Sequence, residues 1–327
     1  MSDRRGQLLL VGAIALAVII LGLSVVANTV LFTENVGTGE DRVESSEIGE
    51  FSFEAQKGTR SLLLRVNHAN ETNTMAELDA NVRRQVTNYS DGLARMYASA
   101  GTKIVDISYN RTLANGTRIV QRTDRNFTYP DGGSRVSDWS LFDDPADVGW
   151  IVFNVDLRNT SGRQMTVNVS GDSETLQYRF NRSNGGDGAA LRVTTTNLNT
   201  GATDTTACES TGGRVLFDLR RGEAFSSECT SPGIETLAPP YEISVSDGHN
   251  LAGQYDVVVD GRWHSSESET LDAVNTDTGN DLSYPHCTGS DPGPCVLPVV
   301  WEGQVDLAYR SDRTDFATTR NVTVYDP

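Results

Sequence analysis

A long apolar run near the N-terminus constrains this chain more than any other feature of its sequence. Residues 8–32, LLLVGAIALAVIILGLSVVANTVLF, contain no charged side chain. As an α-helix this run would be about 37 Å long, which exceeds the bilayer hydrocarbon core of about 30 Å. Arg4 and Arg5 precede it and Glu34 follows it, so the positive-inside rule places the N-terminus in the cytoplasm. We therefore expect residues 8–32 to contact membrane lipid and the rest of the chain to lie outside the cell.

Three kinds of cleavable signal are possible for this run, and an uncleaved anchor is the further alternative. A secretory signal would be cut after Ala27. The Arg4-Arg5 pair also suggests a twin-arginine export signal. A cut between Gly6 and Gln7 would instead leave the apolar helix in the mature protein. An uncleaved anchor would keep the whole segment, so the first residue of the mature chain distinguishes these fates.

The stretch RRGQLLLVGAIALAVIILGLSVVANTVLFTENV resembles the class III signal of haloarchaeal type IV pilin-like proteins, with Gly6 before the cut and Gln7 after it. The resemblance implies a leader peptide over residues 1–6 and a pilin-type transmembrane helix over residues 7–33. It also implies that the protein lies first in the cell membrane and then, after assembly, in an extracellular filament. The implied partners are a prepilin peptidase, a pilus assembly ATPase with its membrane platform, and other pilin-like subunits.

The size of the chain favours a minor, non-enzymatic subunit of such a filament. The main alternative is a single-pass or S-layer-associated surface glycoprotein that does not assemble. An extracellular carbohydrate binder or hydrolase is the third class. The genes beside this one would help to separate the three, because pilin-like subunits tend to lie next to an assembly ATPase.

The charge balance is strongly acidic. The chain has 44 Asp and Glu residues against 27 Lys and Arg, a formal net charge of −17. Such a surface repels phosphate backbones, which argues against nucleic acid as a partner. Lys57 and Lys103 are the only lysines. Acidic excess with lysine nearly absent is typical of proteins from extreme halophiles, where molar salt screens the repulsion between carboxylates.

Two helices are predicted after the apolar run. From residue 75 to 97 apolar residues recur every three or four positions, at Met75, Leu78, Val82, Val86, Tyr89, Leu93 and Met96. Thr74 and Glu77 form a capping box at the start of this helix. A weaker pattern predicts an earlier helix over residues 44–66, interrupted by Gly49 and Gly58. We expect both helices to form an extracellular stalk over residues 34–101.

Residues 102–327 are predicted to form a β-rich head. Short β-type runs with polar turns occur at 150–157, 165–169, 175–180, 191–196, 215–219, 241–245, 255–259, 299–309 and 319–325. Asn115-Gly116 between two further runs predicts a hairpin. The pattern indicates an α+β chain with a mainly antiparallel β-sandwich, either one elaborate sandwich or two small ones with a seam near 229–240.

Four cysteines lie in the predicted extracellular region, at Cys208, Cys229, Cys287 and Cys295. An even number in an exported chain predicts two disulfides, and nearest-neighbour pairing is one of three possible connectivities. Between Cys287 and Cys295 lie two prolines and two glycines that let the chain fold back. A metal site built from His286 with Cys287 and Cys295 is the alternative, although no CxxC spacing supports it.

Candidate N-glycosylation sites are numerous. Asn-x-Ser/Thr sequons occur at Asn70, Asn88, Asn110, Asn115, Asn126, Asn159, Asn168, Asn181 and Asn321. All follow the apolar run, where an exported chain meets a glycosyltransferase. We expect several of them to carry glycan.

No motif predicts catalysis or a cofactor. The histidines at positions 68, 249, 264 and 286 are scattered, and the sequence contains neither HExxH nor GxSxG. The acidic groups Asp143-Asp144-Asp147 and Asp277-Asn280-Asp281 offer oxygen ligands suited to Ca²⁺, but neither has the full EF-hand spacing. We therefore predict neither a catalytic site nor a metal site.

Overall fold

The computed structural model describes residues 39–69, 71–101, 103–131, 134–185, 188–225, 228–261, 271–288 and 293–325. The predicted leader, the predicted apolar helix and the processing site at Gly6 and Gln7 lie outside these residues. Across the described ranges, no helix combines the length and the apolarity that crossing a bilayer requires.

Two helices open the described part of the chain, α1 at Gly39–Ala69 and α2 at Met75–Ala100. The side chain of Thr74 accepts a hydrogen bond from the Glu77 backbone N–H at 3.3 Å, so α2 begins at the predicted cap. Helix α1 begins earlier than predicted and continues through Gly49 and Gly58 without a break. Its packing against neighbouring elements compensates for the low helix propensity of glycine.

One sheet has seven strands. They are β1 Ile104–Asn126, β5 Val148–Asp156, β10 Arg214–Asp218, β11 Glu223–Ala224, β13 Ala252–Asp260, β16 Cys295–Arg310 and β17 Asp315–Thr323. Their order across the sheet is β11-β10-β5-β13-β1-β16-β17. The pairings between these strands are antiparallel.

The second sheet has eight strands. They are β4 Trp139–Ser140, β6 Met165–Ser170, β7 Thr175–Gly185, β8 Gly188–Asn197, β9 Thr203–Glu209, β12 Glu242–Ser246, β14 Asp272–Asn275 and β15 Asn280–Ser283. Their order is β15-β14-β4-β12-β6-β7-β8-β9. A small ribbon pairs β2 Tyr129–Asp131 with β3 Ser134–Val136. These pairings are also antiparallel, which confirms the predicted mainly antiparallel, β-rich head.

The two sheets pack face to face around one hydrophobic core. Phe153 of β5 and Val167 of β6, which belong to different sheets, are both buried in this core. The segment 229–240 does not separate two sandwiches, because strands from both sides of it are neighbours. In one sheet β13 pairs with β5, and in the other β12 pairs with β6. Of the two arrangements left open by the sequence, the structure has the single sandwich.

Helices α1 and α2 cover part of the outer face of the seven-stranded sheet. Phe51, Leu63 and Val66 of α1 are buried in a second core with Val300 and Leu307 of β16. The predicted stalk is therefore a layer of the folded domain, because burying this apolar stripe stabilises the docked position.

Helix α2 also protects a free edge of the sheet. Among the residues that the structure describes, no strand pairs with the first half of β1 on the side opposite β16. There the Ile107 backbone N–H donates to Ser90 Oγ at 2.8 Å, and Arg83 Nη1 donates to the Tyr109 carbonyl at 2.9 Å. Side chains of α2 thus occupy edge groups that would otherwise be open to pairing with another chain.

The hairpin predicted at Asn115-Gly116 is wrong. Strand β1 runs straight through this dipeptide and pairs with β16 on both sides of it, with irregular register near Ala114. Glycine is needed there for close packing, since a Cβ on Gly116 would lie 2.6 Å from the Val259 carbonyl oxygen. The Asn-Gly dipeptide that predicted a turn is instead explained by the close approach of the backbones of β1 and β13 at Gly116.

Both disulfides join nearest neighbours in the sequence. Cys208 of β9 bonds to Cys229, with a Cα separation of 5.1 Å. This bond links an edge of the eight-stranded sheet to the chain beside β11, at an edge of the other sheet. Cys287 bonds to Cys295, with a Cα separation of 4.9 Å, which confirms the predicted bridge.

Candidate functional site at the helix–sheet junction

The last turn of α1 meets the outer face of the sheet at an ion pair between Arg118 and Asp256, whose side chains are 11% and 22% exposed. Arg118 of β1 donates from Nε and Nη2 to the two carboxylate oxygens of Asp256 in β13, at 2.9 and 2.7 Å. Its Nη1 donates to the His68 carbonyl at 2.9 Å. A planar guanidinium suits this arrangement, because it can bind a carboxylate with two bonds and still reach a helix C-terminus.

His68 extends this contact to the C-terminal part of the chain. Its Nδ1 lies 3.1 Å from Asp256 Oδ2, and its Nε2 lies 3.3 Å from the Tyr325 hydroxyl. The imidazole also packs on Trp150 of β5, with ring centroids 4.8 Å apart. One histidine on α1 therefore contacts the sheet and the segment that follows β17.

Asn67 pairs with the sheet as a neighbouring strand would. Its Nδ2 donates to the Val300 carbonyl at 2.8 Å, and the Val300 N–H donates to Asn67 Oδ1 at 3.0 Å. Asn67 is fully buried. We call Asn67, His68, Arg118, Asp256 and Tyr325 the helix–sheet clamp.

The charge state of the clamp follows from its surroundings. Burial alone would raise the pKa of Asp256, but hydrogen bonds from His68 and Arg118 and the charge of Arg118 lower this pKa overall. Burial raises the pKa of the Tyr325 hydroxyl above its ordinary value. At neutral pH the Asp256 carboxylate is ionised and balances Arg118, while Tyr325 stays protonated.

The clamp has the order carboxylate, imidazole, hydroxyl that activates nucleophiles in some enzymes. The geometry does not allow that use here. The Tyr325 side chain is buried, and its hydroxyl lies 3.3 Å from Asn67 Nδ2, which donates to it. The Tyr325 hydroxyl is thus held by Asn67 and His68, and the arrangement fixes α1 against the sheet.

A groove of about 360 Å³ opens beside the clamp on the outer face of the sheet. Trp150, Leu216 and Gln254 line it together with Arg118 and Asp256. Its two charged clamp residues already neutralise each other. The groove adds a partly apolar surface next to the clamp.

The predicted sequons are spread over the head. Asn88, Asn110, Asn126, Asn159 and Asn321 are exposed, whereas Asn115, Asn168 and Asn181 are half-buried. Asn70, like Gly6 and Gln7, lies outside the described residues. The structure brings two sequons together: Gln304 accepts a hydrogen bond from Asn110 Nδ2 at 3.1 Å and donates one to Asn321 Oδ1 at 3.3 Å.

Around the acidic groups considered for Ca²⁺, as elsewhere in the described residues, no cluster of three or more His, Cys, Asp or Glu side chains has the geometry to hold a metal. The Asp277 backbone N–H instead donates to Asn275 Oδ1 in a turn. The Asp147 N–H donates to Asp260 Oδ1. His249 lies in a short 3-10 helix over residues 248–250, His286 forms an isolated bridge with Val296, and His264 falls outside the described residues.

Sequence reasoning missed the clamp. His68 and Asp256 lie 188 positions apart, so no local spacing connects them. One signal was present: Arg118 and Asp256 each lie within a run of residues predicted to form a β-strand. A charge in such a position requires a partner, because burying it alone is costly.

Comparisons with known proteins add a partial match. Residues 2–131 match a family of unknown function, DUF7261. The matched region contains the apolar run, both helices and all of β1. No curated protein and no solved structure matches the chain.

Proposed function

We propose that the protein is a non-enzymatic, pilin-like subunit with an N-terminal apolar helix for anchoring and assembly and a glycosylated β-rich head outside the cell. The proposed partners are a prepilin peptidase acting at Gly6-Gln7, an assembly ATPase with its platform, and other pilin-like subunits. Membrane lipid contacts residues 8–32 before assembly. The alternative, an anchored surface protein that does not assemble, shares the same head.

The observation that carries the proposal is the clamp at the end of α1. Only residues 33–38 separate the apolar run from the start of α1. A load applied through a membrane anchor or a filament core would enter the head along α1. The clamp transfers it to β1, β13, β16 and the C-terminal segment, through bonds that lie far apart in sequence.

The mature N-terminus tests this proposal. We expect mass spectrometry of the protein purified from its own host to find Gln7 as the first residue. Gly6→Val should block processing, because a branched side chain crowds the scissile bond, and Ala27→Val should leave it unchanged. An N-terminus at Asn28 would end the pilin interpretation.

Met1 or Ser2 as the first residue would favour the anchored, non-assembling alternative. Assembly itself is tested by the sheared cell-surface fraction. We expect wild-type protein to appear there with other filament subunits, and the Gly6→Val variant to remain in the membrane.

A further inference from the structure

The two helices leave part of one sheet face uncovered. Helices α1 and α2 pack mainly on β1, β16 and β17 of the seven-stranded sheet. Beyond the helix–sheet clamp the same outer face continues over β13, β5 and β10. The groove of about 360 Å³ lies on this part of the face, where the nearly buried Val120 and Val152 help to line it. A sheet face with its own groove is a candidate contact surface.

Three groove-lining side chains follow one another across the strands of this face. Leu216 of β10 lies opposite Asn154 of β5, and Asn154 lies opposite Gln254 of β13. Their chain neighbours Phe153 and Phe217 are buried in the core between the sheets. Because side chains alternate along a strand, the three residues point away from that core. Neighbouring strands are about 4.8 Å apart, so the three residues span about 10 Å.

An exposed apolar pair lies at the β10 end. The Phe225 backbone N–H donates to the Leu216 carbonyl at 3.0 Å, which places these two residues side by side. Ala224 is buried in the core between the sheets, so alternation directs the Phe225 side chain to the outer face. Phe225 is 52% exposed and Leu216 is 36% exposed. Single exposed apolar residues are common, but adjacent ones are typical of contact surfaces.

Polar groups of the same face are open to new bonds. The Gln254 side chain is half-buried and makes no hydrogen bond to a described residue. Asn154 Oδ1 accepts from Arg214 Nε at 2.9 Å, and its Nδ2 makes no bond within the described ranges. Arg122 lines the groove from β1 and donates to the Thr288 carbonyl at 3.5 Å, but no carboxylate of the described part of the chain pairs with it. The outer-face row is our name for Phe225, Leu216, Asn154, Gln254 and Arg122.

We infer that the outer-face row binds a saccharide that carries a carboxylate, as a uronic acid does. The C–H faces of pyranose rings pack on apolar side chains such as Leu216 and Phe225. Amides both donate to and accept from sugar hydroxyls, and a guanidinium binds a carboxylate with two parallel bonds. The row presents apolar, amide and cationic groups in this order, and the groove volume is typical of small-ligand sites.

A peptide strand is a poorer occupant of this face. Strands β5 and β13 are each paired on both sides, so a peptide cannot be added to them as a further strand. A second copy of the chain would bury the apolar pair but would leave Arg122 to find a carboxylate by chance. The inference rests on export of the head, which is one part of the proposed function, and not on filament assembly.

Saturation-transfer NMR with two matched sugars tests the inference on the full chain, held in a detergent without a sugar headgroup. Methyl β-D-glucuronide and methyl β-D-glucoside differ only in the carboxylate at C6. We expect the glucuronide to bind severalfold more tightly than the glucoside, at one salt concentration at which the chain is folded. Absence of glucuronide binding, or equal binding of the two sugars, would overturn the inference. Neither result depends on the N-terminal residue that tests the pilin proposal.

Variants with wild-type melting temperatures locate the site. Arg122→Gln should remove the preference for the glucuronide, and Gln254→Ala should weaken binding of both sugars severalfold. Arg179→Gln, at an exposed position of β7 in the other sheet, is the matched control and should change neither. Glucuronide binding that both groove variants retain would place the site elsewhere and overturn the inference. Self-association that Leu216→Asp abolishes, without saccharide binding, would also overturn it and assign the face to a contact between copies.

Discussion

Arg118 is the residue on which the helix–sheet junction depends most. Its side chain is 11% exposed, and it contacts both Asp256 and the carbonyl at the end of α1. A buried charge of this kind stabilises the fold only while its partner is ionised. The junction should therefore respond to pH through Asp256.

Asp256→Asn should lower the free energy of unfolding by about 3 kcal/mol at pH 7, because Arg118 would stay buried without a counter-charge. The pKa of Asp256 is lowered in the fold, so its contribution is present above the unfolded value of about 3.9 and is lost as pH falls through the folded value. The difference in the free energy of unfolding between wild type and Asp256→Asn should therefore shrink as the pH falls below about 3.9. Urea midpoints measured against pH test this.

Asp204→Asn, at an exposed position of β9, is the control and should leave the midpoint nearly unchanged at pH 7. A gap between wild type and Asp256→Asn that stayed constant down to low pH would contradict the assigned charge state of the clamp.

At the scale of elements, one glycine of α1 lies directly against a side chain of α2. Gly58 of α1 faces Tyr89 of α2, and a Cβ at that position would overlap the Tyr89 hydroxyl. That hydroxyl donates to the Glu54 carbonyl at 3.3 Å. Gly49 lies in the same helix, where an added Cβ would meet no described atom within 4 Å, so the two glycines have different roles.

Gly58→Ala should destabilise the protein by about 1–3 kcal/mol, because the added methyl displaces the Tyr89 ring and breaks its bond to the Glu54 carbonyl. Gly49→Ala should instead stabilise it by up to about 1 kcal/mol through helix propensity alone. Thermal melts of the two variants give the comparison. Adding Tyr89→Phe should recover part of the Gly58→Ala loss, and equal effects of the two alanine substitutions would contradict the described packing.

At the scale of the whole molecule, the net charge of −17 sets the response to salt. Repulsion among carboxylates opposes the compact state in dilute buffer, and a Debye length of about 3 Å at 1 M salt removes most of it. We expect a higher melting temperature at about 3 M than at about 0.1 M salt. Equal melting temperatures would argue against a halophilic origin.

Local sequence patterns were sufficient to predict helices and strands wherever the spacing of apolar residues repeated over several positions. The heptad-like spacing after Thr74 predicted α2, and the β-type runs predicted the main strands. The cysteine spacing allowed the observed pairs. Local pattern failed at Asn115-Gly116, where the same dipeptide fits a tight turn and a close approach of strands, and only the neighbours of Gly116 decide between them.

The sequence by itself determined the apolar run, the acidic charge, the β-rich head and the positions of the sequons, because each depends on composition or short-range spacing. The tertiary structure alone decided that the helices lie on the sheet, that the head is one sandwich, and that His68 meets Asp256. These features depend on contacts between residues far apart in the chain, and such contacts leave no periodic trace in the sequence.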